Sequence, residues 1–224
     1  MAATVCAPIE PPVFSRWSLS SGKRFMDCVA AIAGLIVASP LIVAIAIWIL
    51  FTTGKPIIFR QWRVGRGGQK FQLLKFRTMT VGAPANRLGV TRSGDARVTS
   101  TGRWLRKWKL DELPQLINVI FGDMTLVGPR PDLEDFWALA SVRDRAVLAL
   151  TPGITGAASL VFCDEERLLA AVAPDQLTTF YVEEVFPQKA RLDLEYAGRA
   201  TFWSDCSVLL RTLLCPLTIA ACRT

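Results

Sequence analysis

An uncharged apolar stretch, residues 28–54, most constrains what this chain can fold into. As a helix with a rise of about 1.5 Å per residue, it is long enough to cross a hydrocarbon core of roughly 30 Å. A cleavable signal peptide fits poorly, because the stretch begins late, is too long and lacks a small-residue cleavage site before the next polar segment. The chain as a whole has 51% hydrophobic residues, which also suits a protein that is partly embedded in a membrane.

Ser39 and Pro40 interrupt this stretch near its middle. A proline inside a helix removes one backbone hydrogen bond, and the Ser39 hydroxyl is placed to bond a carbonyl that is left free. Basic residues prefer the cytoplasmic side of a membrane, and here they flank both ends of the stretch. These bases are Lys23, Arg24, Lys55, Arg60, Arg63 and Arg66. A re-entrant helix–break–helix that enters and leaves by the same leaflet satisfies both flanks, and a proline-kinked spanning helix is the alternative.

The sequence divides into a partly disordered segment (1–22), the membrane helix (23–54) and a cytoplasmic domain at the membrane surface (55–224). We predict a mainly helical α+β fold for that domain, with a β-hairpin around Gly65–Gly68 and several amphipathic helices. Residues 80–98 are predicted to be a loop, and a short basic helix over 99–109 is predicted to begin with Ser100 or Thr101 as its cap. Because Pro114 is tolerated only in a first turn, Asp111 and Glu112 are predicted to begin the next helix, which Gly122 ends. The apolar segment 203–222 contains charges and a proline, which favours a packed or interfacial helix.

The charge is distributed unevenly along the chain. Residues 55–130 carry fifteen Lys or Arg and four acids, whereas residues from 131 onward carry thirteen acids and eight bases. Such a basic segment suits phosphates, anionic lipid or nucleic acid. The chain has no histidine, which excludes Ser-His-Asp and Cys-His catalysis and every His-ligated metal site. Its six cysteines show no C-x-x-C spacing and indicate a reducing compartment.

The adjacent acids Asp111 and Glu112 are the candidates for chemistry. An ionised aspartate is a nucleophile, and a carboxylate pair can hold Mg²⁺ or Mn²⁺, which completes its coordination with substrate phosphates. The surrounding bases could converge as a phosphate clamp, with Arg supplying bidentate contacts. They are Lys75, Arg77, Arg97, Arg103, Arg106, Lys107 and Arg130. The pattern favours phosphoryl transfer, although an acid pair that only caps a helix gives the same local sequence.

Four segments, together with the Ser-Pro break, carry a resemblance to a known family. They read KRFMD (23–27), RQWRVGRGGQKFQLLKFRTM (60–79), GDARVTSTGRWLRKWKLDELPQLINVIFGDMTLVGPRP (94–131) and PGITG (152–156). With these segments the chain resembles the bacterial sugar transferases, the monotopic polyprenyl-phosphate phosphoglycosyl transferases. The resemblance runs from about residue 20 and weakens after 156. Many members continue PGITG differently from the AASLV found here, so the resemblance does not fix the sugar.

The resemblance implies an enzyme of exopolysaccharide or glycoconjugate assembly in the bacterial inner membrane, with its catalytic domain facing the cytoplasm. Such an enzyme moves a phosphosugar from a nucleotide-diphosphate sugar, expected to be a UDP-sugar, to undecaprenyl phosphate. The nucleophile falls on Asp111, its partner acid on Glu112, and phosphate-handling positions on Arg106 and Arg130. Ser39 and Pro40 match the re-entrant break, and Lys23, Arg24 and Asp27 match an N-terminal anchor.

Two other classes of function stay open at this point. One is a Mg²⁺-dependent membrane phosphohydrolase that uses the same aspartate with water as acceptor. The other is a non-catalytic module that binds anionic lipid at a membrane surface. Nucleic acid is not an expected partner, because the hairpin lacks interleaved aromatic residues for base stacking. A homodimer is an open expectation.

Overall fold

The computed structural model describes residues 13–82, 94–173 and 175–221, with the backbone alone from 216 onward. The helices are α1 Ser21–Thr53, α2 Ser100–Lys107, α3 Gln115–Phe121, α4 Glu134–Leu139, α5 Ala157–Val161, α6 Glu165–Ala170, α7 Leu177–Phe180, α8 Phe186–Arg199 and α9 Phe202–Ala221. The strands are β1 Ile58–Val64, β2 Lys70–Phe76, β3 Thr125–Val127 and β4 Gly153–Thr155. The predicted class, mainly helical α+β with an N-terminal apolar helix, is confirmed.

The long helix α1 packs on the globular domain in both its halves. Ala31, in its first half, is fully buried in a cluster with residues of β2, α3 and β3. Ile45 and Ile49, in its second half, are buried in a separate cluster with Phe76 and Leu105. Both ends of α1 are therefore fixed to the same body.

The structure places a continuous helix where a helix–break–helix was predicted. α1 passes through Pro40 without interruption. The Ser39 hydroxyl donates to the Ile36 carbonyl at 2.8 Å. That carbonyl is the one that Pro40, lacking an N–H, leaves without its helical partner. The predicted hydrogen bond of Ser39 to a freed carbonyl is thus confirmed, and this bond helps the helix to continue past the proline.

The N-terminal anchor residues join α1 to three other elements. The Lys23 ammonium contacts the buried Asp205 carboxylate of α9 at 2.5 Å. Arg24 donates to the last carbonyls of α3, including that of Ile120 at 2.8 Å. Asp27 accepts bonds from the Thr125 hydroxyl and from the Leu126 amide of β3. Burial of these charges is compensated because each has a polar partner.

The segment before α1 is more ordered than predicted over the part that the structure describes. Ser15 and Ser18 bond the Ala197 carbonyl, and the Trp17 indole donates to Asp205 at 2.8 Å. Residues 1–12 of the predicted disordered segment lie outside the described residues. So do residues 83–93 of the predicted loop 80–98. At the edges of this loop, Val98 forms a β-bridge with Met79, the residue that precedes the loop.

The hairpin forms as predicted, whereas the two short helices differ at their starts. β1 and β2 pair antiparallel from Ile58↔Phe76 to Val64↔Lys70. The cap of α2 is Thr99, whose hydroxyl accepts from the Gly102 amide, so neither Ser100 nor Thr101 is the cap. Gly102 itself lies so close to the Thr78 backbone that a Cβ would overlap it. α3 begins only at Gln115, and Gly122 ends it with a left-handed φ of 94°.

A parallel strand pair that the sequence did not predict joins the GPRP and PGITG segments. Thr125 pairs with Gly153, and Val127 pairs with Thr155. A Cβ at Gly153 would overlap the backbone of Gly128, so glycine is required for this close approach. The pair fixes the start of the loop that carries Arg130.

Candidate active site

The acid pair lies in a tight turn between α2 and α3. Asp111 and Glu112 belong to a single 3-10 turn, Leu110–Glu112, that precedes α3. Lys109 has a left-handed φ of 58° and redirects the chain from α2 into this turn. The prediction that the acids form the first turn of the following helix is therefore wrong. Pro114 is the cap of that helix, so the acids lie just before it and are not held by its first turn.

Glu112 is held by two cations. One oxygen, Oε1, is 2.9 Å from the Lys75 ammonium and 2.9 Å from the Arg130 guanidinium. Burial alone would raise the pKa of Glu112, but Lys75, Arg130 and Lys109 outweigh it and hold the pKa far below its usual range. The same pairing raises the pKa of Arg130. Glu112 is thus a fixed anion at the centre of a cationic group.

Asp111 has a contrasting environment. The residue is 5% exposed, and among the residues that the structure describes its carboxylate accepts no hydrogen bond. Burial raises its pKa, Lys75 opposes this, and the neighbouring charge of Glu112 adds to it. A carboxylate with raised basicity and free lone pairs is a better nucleophile than one held by two cations.

Three elements supply the bases around the pair. Lys75 comes from β2, where it lies opposite Phe59. Arg130 follows β3 in the GPRP loop. Arg106 comes from the last turn of α2 and lies within electrostatic reach of Asp111. Arg106 also forms an ion pair with Glu166 of α6 at 3.1 Å. Three of the four predicted phosphate-binding residues therefore surround the acids.

Arg77 does not join this group. Its buried guanidinium donates to the carbonyls of Thr53, Gly54 and Lys55, where α1 ends. A guanidinium there satisfies carbonyls that have no helical partner. We therefore correct the prediction for Arg77, whose observed role is to bind the end of α1.

The other bases that the sequence suggested have partners elsewhere. Arg97 pairs with Asp95 at 2.6 Å, Arg103 donates to the Val98 carbonyl, and the Lys107 ammonium lies over the Trp108 ring. The sequence predicted a phosphate clamp from these bases because it does not show whether a basic side chain binds a phosphate or a group within the protein.

A second polar cluster, which sequence reasoning missed, adjoins Arg130. Lys189 of α8 contacts both oxygens of Glu165 at 2.9 Å and lies 3.3 Å from the Tyr181 hydroxyl. Asp132 lies within electrostatic reach of Lys189, Arg63 and Arg130, and its burial raises its pKa. The only sequence signal was the position of Asp132 directly after GPRP.

The described residues fit a divalent cation only with help from a substrate. They contain no group of three or more carboxylates, thiols or imidazoles that is arranged to hold a metal ion. Mg²⁺ in phosphoryl-transfer sites often uses one or two carboxylates and takes its other ligands from phosphates and water. Asp111 and the second oxygen of Glu112 could supply two such ligands.

These features define a class: a domain joined to an apolar helix, with a buried carboxylate pair surrounded by basic side chains. Comparison with known proteins identifies the family, because residues 18–218 match the model described as "Bacterial sugar transferase". The chain belongs to the bacterial sugar transferase family.

Relatives with named activities support this assignment. The chain is 37% identical over 199 residues to the UDP-glucose:undecaprenyl-phosphate glucose-1-phosphate transferase of Caulobacter vibrioides, covering 88% of this chain and 70% of that protein. It is 34% identical over 202 residues to the UDP-N-acetylgalactosamine-undecaprenyl-phosphate N-acetylgalactosaminephosphotransferase of Aeromonas hydrophila, covering 88% and 44%. It is 33% identical over 214 residues to the galactosyl transferase CpsE of Streptococcus agalactiae, covering 89% and 43%. The chain thus spans less than half the length of two of these three relatives.

Proposed function

We propose that this chain transfers a phosphosugar from a UDP-sugar to undecaprenyl phosphate, giving undecaprenyl-diphosphate sugar and UMP. The family assignment and the names of its relatives support the reaction class, and the contrast between Asp111 and Glu112 is the observation that carries the mechanism. The product would begin the assembly of an exopolysaccharide or glycoconjugate. The relatives differ in their named sugars, so the sugar stays undefined within this proposal.

The proposed chemistry proceeds in two displacements. A carboxylate oxygen of Asp111 attacks the sugar-bearing phosphorus, and the bond from that phosphorus to the bridging oxygen breaks. UMP leaves with the bonding electron pair, and a phosphosugar remains on Asp111. An oxygen of undecaprenyl phosphate then attacks the same phosphorus, forms the diphosphate and releases the Asp111 carboxylate. Two displacements keep the two anionic substrates from having to react directly with one another.

The cations would serve different parts of the substrate. Arg130 and Lys75 already balance Glu112, so this group presents a fixed arrangement of charge to an incoming diphosphate. Arg130 is the more accessible of the two, with a side chain that is 37% exposed. Preorganised cations of this kind stabilise charge that develops in a transition state without needing to reorganise.

A divalent cation, Mg²⁺ or Mn²⁺, is part of this proposal. Asp111 and Glu112 would hold it together with the diphosphate, and it would neutralise charge on the leaving group. We expect excess EDTA to abolish turnover and added Mg²⁺ to restore it. Full turnover in EDTA, measured as UMP release, would remove the metal from the proposal.

We further propose that α1 is re-entrant and that the domain lies on the cytoplasmic face of the membrane. α1 is long and apolar enough to cross a membrane, with only 11% of its most apolar window buried in the protein. Because both halves of α1 pack on one globular body, a crossing would separate contacts that the fold makes. The side of α1 away from the domain is apolar, and α9 also exposes apolar side chains. The most exposed of these side chains are Phe25, Ile36, Val37, Phe51, Trp203 and Leu213.

The reaction is tested with a set of UDP-sugars, purified protein in detergent, and undecaprenyl phosphate. We expect sustained UMP release and a lipid-linked sugar diphosphate only when the lipid phosphate is present. Continued UMP release without lipid would instead favour the phosphohydrolase. Salt-sensitive lipid binding that survives Asp111→Asn, without any turnover, would favour the binding module.

A further inference from the structure

We propose that Arg63 of β1 is a positioning residue for Arg130, holding the Gly128–Asp132 loop so that the Arg130 guanidinium stays at the acid pair. This inference rests on the proposed function, because it assigns Arg130 to the substrate's phosphates. It concerns a residue that neither the sequence pattern nor the predicted clamp had assigned to the site.

β1 holds the C-terminal side of this loop through two bonds. The Arg63 guanidinium donates to the Pro131 carbonyl at 3.2 Å, and the Val64 amide donates to the Asp132 carbonyl at 3.0 Å. A charge contact adds to them, since Arg63 Nη1 lies 4.0 Å from Asp132 Oδ1. The two residues that directly follow Arg130 are thus fixed by one strand.

β4 holds the N-terminal side of the same loop. The Gly128 amide donates to the Thr155 carbonyl at 2.8 Å, and the Gly153 amide donates to the Pro129 carbonyl at 2.8 Å. The backbone on both sides of Arg130 is therefore held by hydrogen bonds, at Gly128 and Pro129 before it and at Pro131 and Asp132 after it. Because its own side chain is partly exposed, the backbone on either side has a large part in setting its position.

An arginine suits this position because of its several donors. A second Arg63 bond goes to Gln61 at 2.8 Å. Its side chain is only 14% exposed, and its Nε atom is buried without a partner among the described residues. Burial lowers the pKa of Arg63, and Asp132 opposes that change. Burying the Arg63 guanidinium costs desolvation free energy, which is consistent with a specific structural role for its charge.

A double-mutant cycle tests the proposal. We expect Arg63→Met to lower kcat/KM for the UDP-sugar by about 10-fold or more, and by less than about twofold when Arg130→Met is already present. Arg63→Lys, which keeps one charged donor, should recover part of the loss. Arg60→Met is the matched control: Arg60 is exposed on the same strand, and its side chain makes no ion pair or hydrogen bond among the described residues.

Additive losses in the cycle would overturn the positioning role, as would an Arg63→Met enzyme with unchanged kcat/KM. If Arg63→Met fails to fold, as judged by thermal unfolding, the same cycle is run with Arg63→Lys. If the wild type turns over no UDP-sugar, the proposed function fails, and the positioning role is then decided by calorimetry of UDP binding in the same four proteins. Coupled losses of affinity would support it, and additive losses would overturn it.

Discussion

At the scale of single residues, two neighbouring carboxylates of this protein have opposite electrostatic environments. Glu112 is compensated by Lys75 and Arg130, whereas Asp111 is buried without a hydrogen bond from the described residues. The pKa of Glu112 is lowered, and the pKa of Asp111 is raised by burial. Two neighbouring carboxylates acquire different chemical roles when their environments shift their pKa values in opposite directions.

These environments predict opposite effects on stability at neutral pH. Asp111→Asn removes a charge that burial disfavours, so we expect it to be neutral or to stabilise by about 1 kcal/mol. Glu112→Gln leaves two cations without their shared anion, so we expect a loss of about 2 kcal/mol or more. Urea unfolding in detergent measures both changes. Equal destabilisation by the two variants would contradict the contrast between the acids.

At the scale of elements, local patterns predicted the hairpin and the end of α3 but not the cap of α2 or the start of α3, and non-local contacts were missed. The hairpin and the end of α3 follow from alternation and from Gly122, signals that lie within a few residues of one another. The β3–β4 pair joins three-residue strands that are far apart in sequence, and nothing local marks them. Arg77 was misassigned for a related reason. Its partners are backbone carbonyls at the end of α1, and no side chain in the sequence marks them as its partners.

The same holds for the site as a whole. The acid pair Asp111 and Glu112 could be predicted from the pattern of acids within a basic segment. The same pattern suggested seven bases for the clamp, and the structure places only Lys75, Arg106 and Arg130 around the acids. The 3-10 turn could not be predicted, since it depends on the left-handed Lys109. The hydrogen bonds that hold the Gly128–Asp132 loop also could not be predicted, because they depend on the backbone carbonyls of Pro131 and Asp132 accepting hydrogen bonds from β1.

The contact between α5 and α8 predicts a pH effect on stability. Asp193 of α8 accepts the Ala158 amide at 3.0 Å, and burial raises its pKa from 3.8 to about 6. Since the folded state then binds more protons than the unfolded state between these values, this group lowers stability as pH rises through about 4 to 6. The contribution reaches about 3 kcal/mol above that window.

Asp193→Asn should therefore gain stability relative to wild type as pH rises from 4 to 7.5, because asparagine keeps the acceptor and removes the charge. The measurement is urea unfolding in detergent at both pH values. Asp135→Asn on α4, where the side chain is exposed, is the control and should differ from wild type by less than about 0.5 kcal/mol at either pH. A pH-independent difference for Asp193→Asn would contradict this account.

At the scale of the whole molecule, α1 is long and apolar enough for a membrane, and it also packs on the domain that carries the acid pair. Its ends are bound at Lys23–Asp205 and at Arg77, and in its middle the Ser39 hydroxyl donates to the Ile36 carbonyl. A re-entrant helix with these contacts would hold the acid pair near the surface where a lipid phosphate lies. A spanning helix would have to break one set of contacts.

Topology is tested by cysteine labelling of intact cells in a cysteine-free background. Val13 and Val81 are exposed, at 84% and 70%, and lie before and after α1. We expect Val13→Cys and Val81→Cys to be equally protected from an impermeant reagent and equally labelled after permeabilisation. Labelling of position 13 alone from outside would mean that α1 spans. Pro40→Ala should favour a straight helix and raise that labelling.

The central claim, covalent catalysis by Asp111, is tested most directly by intact-protein mass spectrometry after incubation with the accepted UDP-sugar and no lipid. We predict that wild type gains the mass of one phosphosugar with release of an equal amount of UMP, and that undecaprenyl phosphate then removes the adduct. A folded Asp111→Asn protein should gain no mass. The absence of an adduct on the active wild type, with UMP released only when both substrates are bound, would contradict the account and indicate direct transfer.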